Sequence, residues 1–496
     1  MTSPDFSPSP PSSVTAAKPN LGILTMLRLG VFNMGLGIMS LLTLGVLNRV
    51  MIEELRVPAL VAAGAIAVHQ FMAPARVWFG QMSDSRPIFG HHRSGYIWIG
   101  IGSVAVTAFC ALQVVWQIGS RIAETGWGPA VYPWVGLLGL LFAIYGLALS
   151  ATSTPFTALL VDVSDEESRS RLVGIGWAML MVGIITGVII TSIVLKPIEL
   201  NAPFEQLRSA VNRLFIIAPA VVCVLAVLST YGIERKYSRL TQRSSLRNGW
   251  REDQGGQRED SLTLGRALKI LTASRQTGLF FTFLLVLSLS LFMQDAVLEP
   301  YGGEVFGMTI AETTQLNAAF GMGTLLSIIA TGWLVVPRLG KKRTVVVGCS
   351  WAALCLVGIT LSGLTGNPAI LLTAVFLFGT ASGVLTLGAI VLMLDLTVAE
   401  TAGTFIGAWG LAQAIARGSA TVLGGGVLDL GRAILSTLNG AGEVGEPQAF
   451  LAYGLVFMLQ AVGMMVAIWL LSRVDIQEFQ ANAKAAITAA LESDLD

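Results

Sequence analysis

Apolar stretches of about twenty residues alternate with polar connections from residue 26 to residue 472. About 20 helical residues cover the ~30 Å hydrocarbon layer of a bilayer. The pattern therefore predicts spans near 26–47, 59–80, 95–117, 131–153, 172–195 and 212–233, then near 276–297, 315–336, 343–364, 368–393, 403–428 and 449–472. The expected fold is an all-α membrane protein of about 12 transmembrane helices in two six-helix halves. Residues 234–274 are polar, charged and longer than the other connections, and read as a linker between an N-terminal half (22–233) and a C-terminal half (275–472). Residues 1–21, rich in Pro, Ser and Thr and without a charged n-region, read as a disordered tail rather than a signal peptide. Residues 473–496 carry Ile476, Phe479, Ala483, Ile487 and Leu491 at helical spacing and read as an amphipathic tail.

Basic residues orient the chain. Arg86 and Arg93, Arg169 and Arg171, the stretch from Arg235 to Arg275, and Arg338, Lys341, Lys342 and Arg343 occupy the connections after spans 2, 4, 6 and 8. The alternate connections hold scattered basics, and the one after span 7 holds Glu299, Glu304 and Glu312 without Lys or Arg. The positive-inside rule then predicts cytoplasmic N- and C-termini. The halves also match in sequence: Gly146, Ala148, Asp162, Glu167 and Gly174 recur 233 positions later as Gly379, Ala381, Asp395, Glu400 and Gly407. Internal repeats of this kind mark many secondary transporters.

Composition agrees. Of 496 residues, 54% are hydrophobic and 12% charged, about half the charged share of a soluble domain; mean hydropathy is +0.71. A net charge of +1 gives no field for nucleic acid. The 54 glycines suit close helix packing in lipid, as at the pairs Gly183–Gly187, Gly379–Gly383 and Gly403–Gly407. Cys110, Cys223, Cys349 and Cys355 lie in apolar runs without metal spacing, and no nucleophile–base motif or phosphate loop suggests an enzyme.

The connection Gly80-Gln-Met-Ser-Asp84, followed by Arg86 and Arg93, resembles the loop pattern of the major facilitator superfamily. The resemblance implies that Asp84 braces helix ends of the opposite half; the second-half copy has Val336 at the Asp position. LNRVMIEELRVPA (47–59) with AVHQFMAPARVWFGQMSD (67–84), and MQDAVLEPYGGEVFGM (293–308), closely resemble the PucC/LhaA, or bacteriochlorophyll delivery, family of that superfamily. That resemblance covers roughly 22–472. It implies a role in assembling light-harvesting or photosystem complexes in a phototrophic bacterium, delivering or inserting chlorophyll or bacteriochlorophyll into apoproteins in an inner, intracytoplasmic or thylakoid membrane. Expected partners are those apoproteins, the pigment-synthesis machinery and membrane lipid.

A chlorophyll magnesium needs one axial ligand, often a neutral imidazole. His69 falls near mid-span, either as such a ligand or as a histidine bonded to a neighbouring helix. Asn33 in span 1 and Arg417 in span 11 are further pigment- or substrate-binding candidates. Arg417 has no evident carboxylate at its depth, so a cavity-facing role is expected. Arg76 lies two turns beyond His69, with Pro74 between, and Asp84, Asp162 and Asp395 are its candidate partners. At the outer end, Arg49 is expected either to pair with Asp295 or Glu299 across the halves, closing that side, or to belong to a separately solvated rim. The alternative to pigment assembly is a proton-coupled transporter of a small solute, weakly disfavoured because Asp162, Asp395 and Asp295 fall near helix ends.

Overall fold

The computed structural model describes residues 22–164, 166–195, 203–237, 275–396, 402–438 and 446–475. The expected tails and most of the linker, residue 238 onward, lie outside them. The described residues are almost entirely helical and contain no strand, only a single bridge between Ile88 and His91. In a bilayer this is forced, because only a helix pairs every backbone group within its own segment.

The first half comprises α1 (Ile23–Glu54), α2 (Ala59–Phe71), α3 (Ala75–Ser85), α4 (Ser94–Thr125), α5 (Tyr132–Val163), α6 (Glu166–Leu195), α7 (Phe204–Thr230) and the short α8 (Ile233–Tyr237). The second comprises α9 (Arg275–Phe292), α10 (Leu298–Phe306), α11 (Ile310–Ala330), the short α12 (Val336–Leu339), α13 (Lys341–Ser362), α14 (Pro368–Leu396), α15 (Ala402–Leu438) and α16 (Glu446–Ser472). Among the described residues, nine helical runs are long and apolar enough to cross a membrane, which makes this a multi-pass membrane protein. Several run past the expected spans because polar residues extend them beyond the apolar stretch.

Two breaks matter for function. Pro74 has no N–H, and the expected span 59–80 divides into α2 and α3 around it. Span 7 stops at Phe292, passes through a 3-10 turn (Met293–Ala296) and resumes as α10, which ends at Gly307 in the left-handed conformation (φ 63°). A capping box between Thr309 and Glu312 starts α11. Within α1, residues Leu41–Leu47 and Val50–Glu54 are π-helical, a widening that recurs at functional sites.

The repeat expected from the sequence appears in the packing. α1 lies on α6 and α7, and α4 on α5 and α7; correspondingly, α9 lies on α15 and α16, and α13 on α14 and α16. Glycines set the close approaches. A Cβ on Gly183 would strike the Met34 carbonyl, and one on Gly379 the Phe320 carbonyl. The surroundings of Gly403 and Gly407 lie outside what the structure describes.

The halves meet where α2 packs on α15 and α6 on α11. Past the Pro74 break, α3 leaves the second half and packs mainly on α5. Trp78 on α3 is 58% exposed. The halves are thus joined at the end carrying the 293–309 segment and part toward the end carrying the basic connections.

Candidate functional site

At the joined end, α1 delivers Asn48 and Arg49 into the second half. Arg49 is 1% exposed. Its Nη1 donates to Thr313 Oγ1 at 2.5 Å and its Nη2 to the Met308 carbonyl at 2.7 Å, while Nε lies 2.8 Å from Glu53 Oε2. Asn48 Nδ2 donates to the Ala296 carbonyl at 2.7 Å. Across the same interface, Asp429 of α15 accepts from Ala59 N (3.0 Å) and Leu60 N (2.7 Å), capping α2. Glu304 of α10 binds Arg432 and accepts the Tyr453 hydroxyl at 2.8 Å.

The expected Arg49 bridge therefore exists with other partners. Arg49 and Glu53 are one helical turn apart, so Arg49 takes its carboxylate from its own helix. It crosses to the other half through neutral acceptors, not through Asp295 or Glu299. Glu299 instead takes the Asn317 amide and lies against Gly45. Asp295 turns inward.

Asp295 meets Arg417, whose Nη2 and Nε lie 3.0 Å and 3.3 Å from Oδ2, while the guanidinium stacks 4.5 Å from the Phe292 ring centroid. This corrects the expectation that Arg417 has no carboxylate at its depth. The 3-10 turn carries Asp295 into the bundle, where a continuous helix would end it at the rim. The Arg417 side chain is 36% exposed.

His69 lies nearby on α2, 8% exposed, its ring 5.7 Å from that of Tyr145 in edge-on contact. Gly418, next to Arg417, packs against Gln70 and Phe71. His69 Nδ1 lies 2.5 Å from the Ile66 carbonyl. A carbonyl only accepts, so Nδ1 carries the proton and Nε2 holds the basic lone pair. The anchor is thus its own helix rather than a neighbouring one. Asn33 sits half-buried on α1 against Gly176 of α6, outside the contacts of His69 and of Arg417.

At the parted end, Arg93 gathers the carboxylates expected for Arg76. It lies 2.6 Å from Asp84 Oδ1 and 3.1 Å from Asp162 Oδ2, and donates to Ser83 Oγ at 2.6 Å. Among the described residues, Asp84 pairs within its own half; the segment 397–401 and the side chains that begin α15, where a grip on the opposite half is expected, lie outside them. Arg76 is exposed on α3, a separate helix from the one that carries His69, and bonds neither acid. The side chain of Asp395 lies outside the described residues. Glu234 accepts from His92, Arg93 and Ser94 N–H groups at 2.6, 3.1 and 2.7 Å, capping α4.

Asp429, Glu234, Asn317 and Thr313 carry these contacts and were not singled out in the sequence, where Arg93 was read only as a basic loop residue. Among them, Asn317, a polar residue inside the expected span 315–336, left a signal there.

A family model described as "PUCC protein" matches residues 46–479. A protein of Rhodobacter capsulatus named "Bacteriochlorophyll synthase 44.5 kDa chain" is 30% identical, covering 90% of this chain and 96% of that protein. From Rhodobacter capsulatus too, "Protein PucC" is 27% identical, covering 89% and 90%. Among solved structures, the nucleoside transporter NupG aligns with TM-score 0.61 at 13% identity, covering 91% of this chain and 98% of that one. A bacterial homolog of the human lysosomal transporter Spinster, inward-facing and unoccupied, aligns with TM-score 0.64 at 14% identity, covering 93% and 96%. The fold is that of these transporters, of the major facilitator type.

Proposed function

Because the chain belongs to the PUCC protein family, we propose that it is an assembly factor for chlorophyll- or bacteriochlorophyll-binding light-harvesting or photosystem complexes. It delivers or inserts pigment into membrane apoproteins and is not an enzyme. It crosses the inner, intracytoplasmic or thylakoid membrane of a phototrophic bacterium twelve times with both termini cytoplasmic, so the parted end faces the cytoplasm. The name of the 30%-identical relative ties the family to bacteriochlorophyll.

The observation that carries the proposal is the state of His69. With Nδ1 committed to Ile66, Nε2 is the nitrogen that would ligate a pigment magnesium. The Tyr145 ring packs edge-on against the His69 ring, and Gly418, which packs on Gln70 and Phe71, brings Arg417 with its Asp295 and Phe292 partners to the same helix. The decisive experiment is an absorbance spectrum of the gently purified protein with its co-purifying proteins identified. Stoichiometric pigment together with antenna apoproteins supports the proposal, and His69→Ala should then cut bound pigment several-fold. Unchanged pigment in His69→Ala removes that residue, and a colourless protein without photosynthetic partners sinks the proposal.

The second reading is a proton-coupled carrier of a small solute, favoured by one feature: the halves are joined at one end and part toward the other, as alternating access requires.

A further inference from the structure

We propose that Glu299 is a proton-binding site of the joined end, holding a neutral carboxyl group while the halves are closed there and releasing its proton as they separate. This goes beyond both functional readings, since either an assembly factor or a carrier could draw on it.

Glu299 occupies the first turn of α10 and is 4% exposed. Its Oε1 takes the Asn317 amide of α11, and its Oε2 has no hydrogen-bond partner. Gly45 of α1, in the π-helical stretch, stands so close that any Cβ there would collide with the carboxyl group. The carboxyl group is therefore clamped between helices of opposite halves.

The charged groups around it come from several elements. α1 contributes Arg49 and Glu53, with Glu54 farther out. α10 contributes Glu304, α15 contributes Asp429 and Arg432, and α16 contributes Tyr453. Arg49 is held by Glu53 at 2.8 Å, with Glu54 at 4.0 Å; Arg432 is held by Glu304; Asp429 is spent on the α2 cap. Among the described residues, α11 offers Glu299 only the neutral Asn317. Each guanidinium is already paired with another carboxylate, so Glu299 feels Arg49 only at a distance and is the buried acid left without an ion pair of its own.

An isolated buried carboxylate is costly enough that such a group takes up a proton instead. Separation of the halves removes Gly45 and admits water, which favours the ionised form. The sign follows: low pH favours the closed end, and rising pH favours its opening with loss of one proton.

The test uses the full-length protein with its four cysteines replaced and spin labels at Glu124→Cys and Leu364→Cys, exposed positions at the joined end of each half. Inter-label distances should widen as pH rises, and Glu299→Gln, which mimics the protonated form, should abolish that response. The infrared spectrum of the closed protein should show a protonated-carboxyl C=O band that is lost in Glu299→Gln. Distances that ignore pH, a normal pH response in Glu299→Gln, or a carboxyl band that survives the substitution would overturn the proposal. Should Glu299→Gln fail to fold, Asn317→Leu serves. Without the donor that stabilises the ionised form, the midpoint of opening should rise, and an unmoved midpoint overturns the proposal equally.

Discussion

Replacing Thr313 with valine removes one acceptor from the cross-half grip of Arg49 and leaves the shape nearly unchanged. Two of the Arg49 hydrogen bonds cross between the halves, to Thr313 Oγ1 and to the Met308 carbonyl. The Glu53 contact lies within α1 and persists whether or not the halves separate, so it does not enter the closing equilibrium. A hydrogen bond to a charged group contributes about 1.5–3 kcal/mol. In the open state water replaces Thr313, so most of that contribution is lost only from the closed state. At about 1.4 kcal/mol per factor of ten, the open-to-closed ratio should rise roughly tenfold to a hundredfold. The reporter is a cysteine at Thr314, buried on α11 beside the grip, in a chain without its native cysteines. Its alkylation by a membrane-impermeant maleimide follows the open fraction. A second cysteine at Ala352, buried inside the second half, should keep its rate. A rise of less than twofold at position 314 would refute the assignment of Arg49 as the cross-half latch. An equal rise at both positions would show general loosening instead.

Asp429→Ala should open the same end by a smaller factor, since losing an N-cap costs about 0.5–2 kcal/mol; an unchanged rate at the position-314 reporter would contradict its role across the interface. Arg417→Ala leaves Asp295 without its cation and should lower thermal stability, whereas Asp295→Asn with Arg417→Gln should recover part of the loss. A double-mutant cycle with coupling under ~0.5 kcal/mol would mean the pair is not coupled. Gly183→Ala forces a methyl group into the Met34 carbonyl and should lower the midpoint of thermal unfolding by the equivalent of about 1–3 kcal/mol, while Gly102→Ala, which meets open space, should not.

The sequence and the structure agree most closely on what one helix or one connection decides. Hydropathy alone marks the apolar helices because the requirement is local: backbone without water must hydrogen-bond within its own segment. The repeat was legible because equivalent positions keep the same small or acidic residue, as Gly146 and Gly379 do, and both sit at close contacts. His69, Arg417 and Arg49 stood out because a polar group at membrane depth is costly. Their partners did not. Arg49 and Thr313 are 264 residues apart, and Arg417 and Asp295 are 122 apart. Nothing along the chain records which of several nearby carboxylates each arginine meets.

The sequence by itself determined a helical membrane protein, its repeated halves and the polar residues with work to do inside it, because each follows from burial within a single segment. The tertiary structure alone decided their pairing. A 3-10 turn at Met293–Ala296 brings Asp295 to Arg417, the break at Pro74 puts His69 and Arg76 on separate helices, and the seating of α1 on α10 and α11 gives Arg49 neutral acceptors and leaves Glu299 without an ion pair of its own. Each of these depends on where a backbone irregularity points a side chain in three dimensions, and hydrophobic periodicity carries no information about that direction.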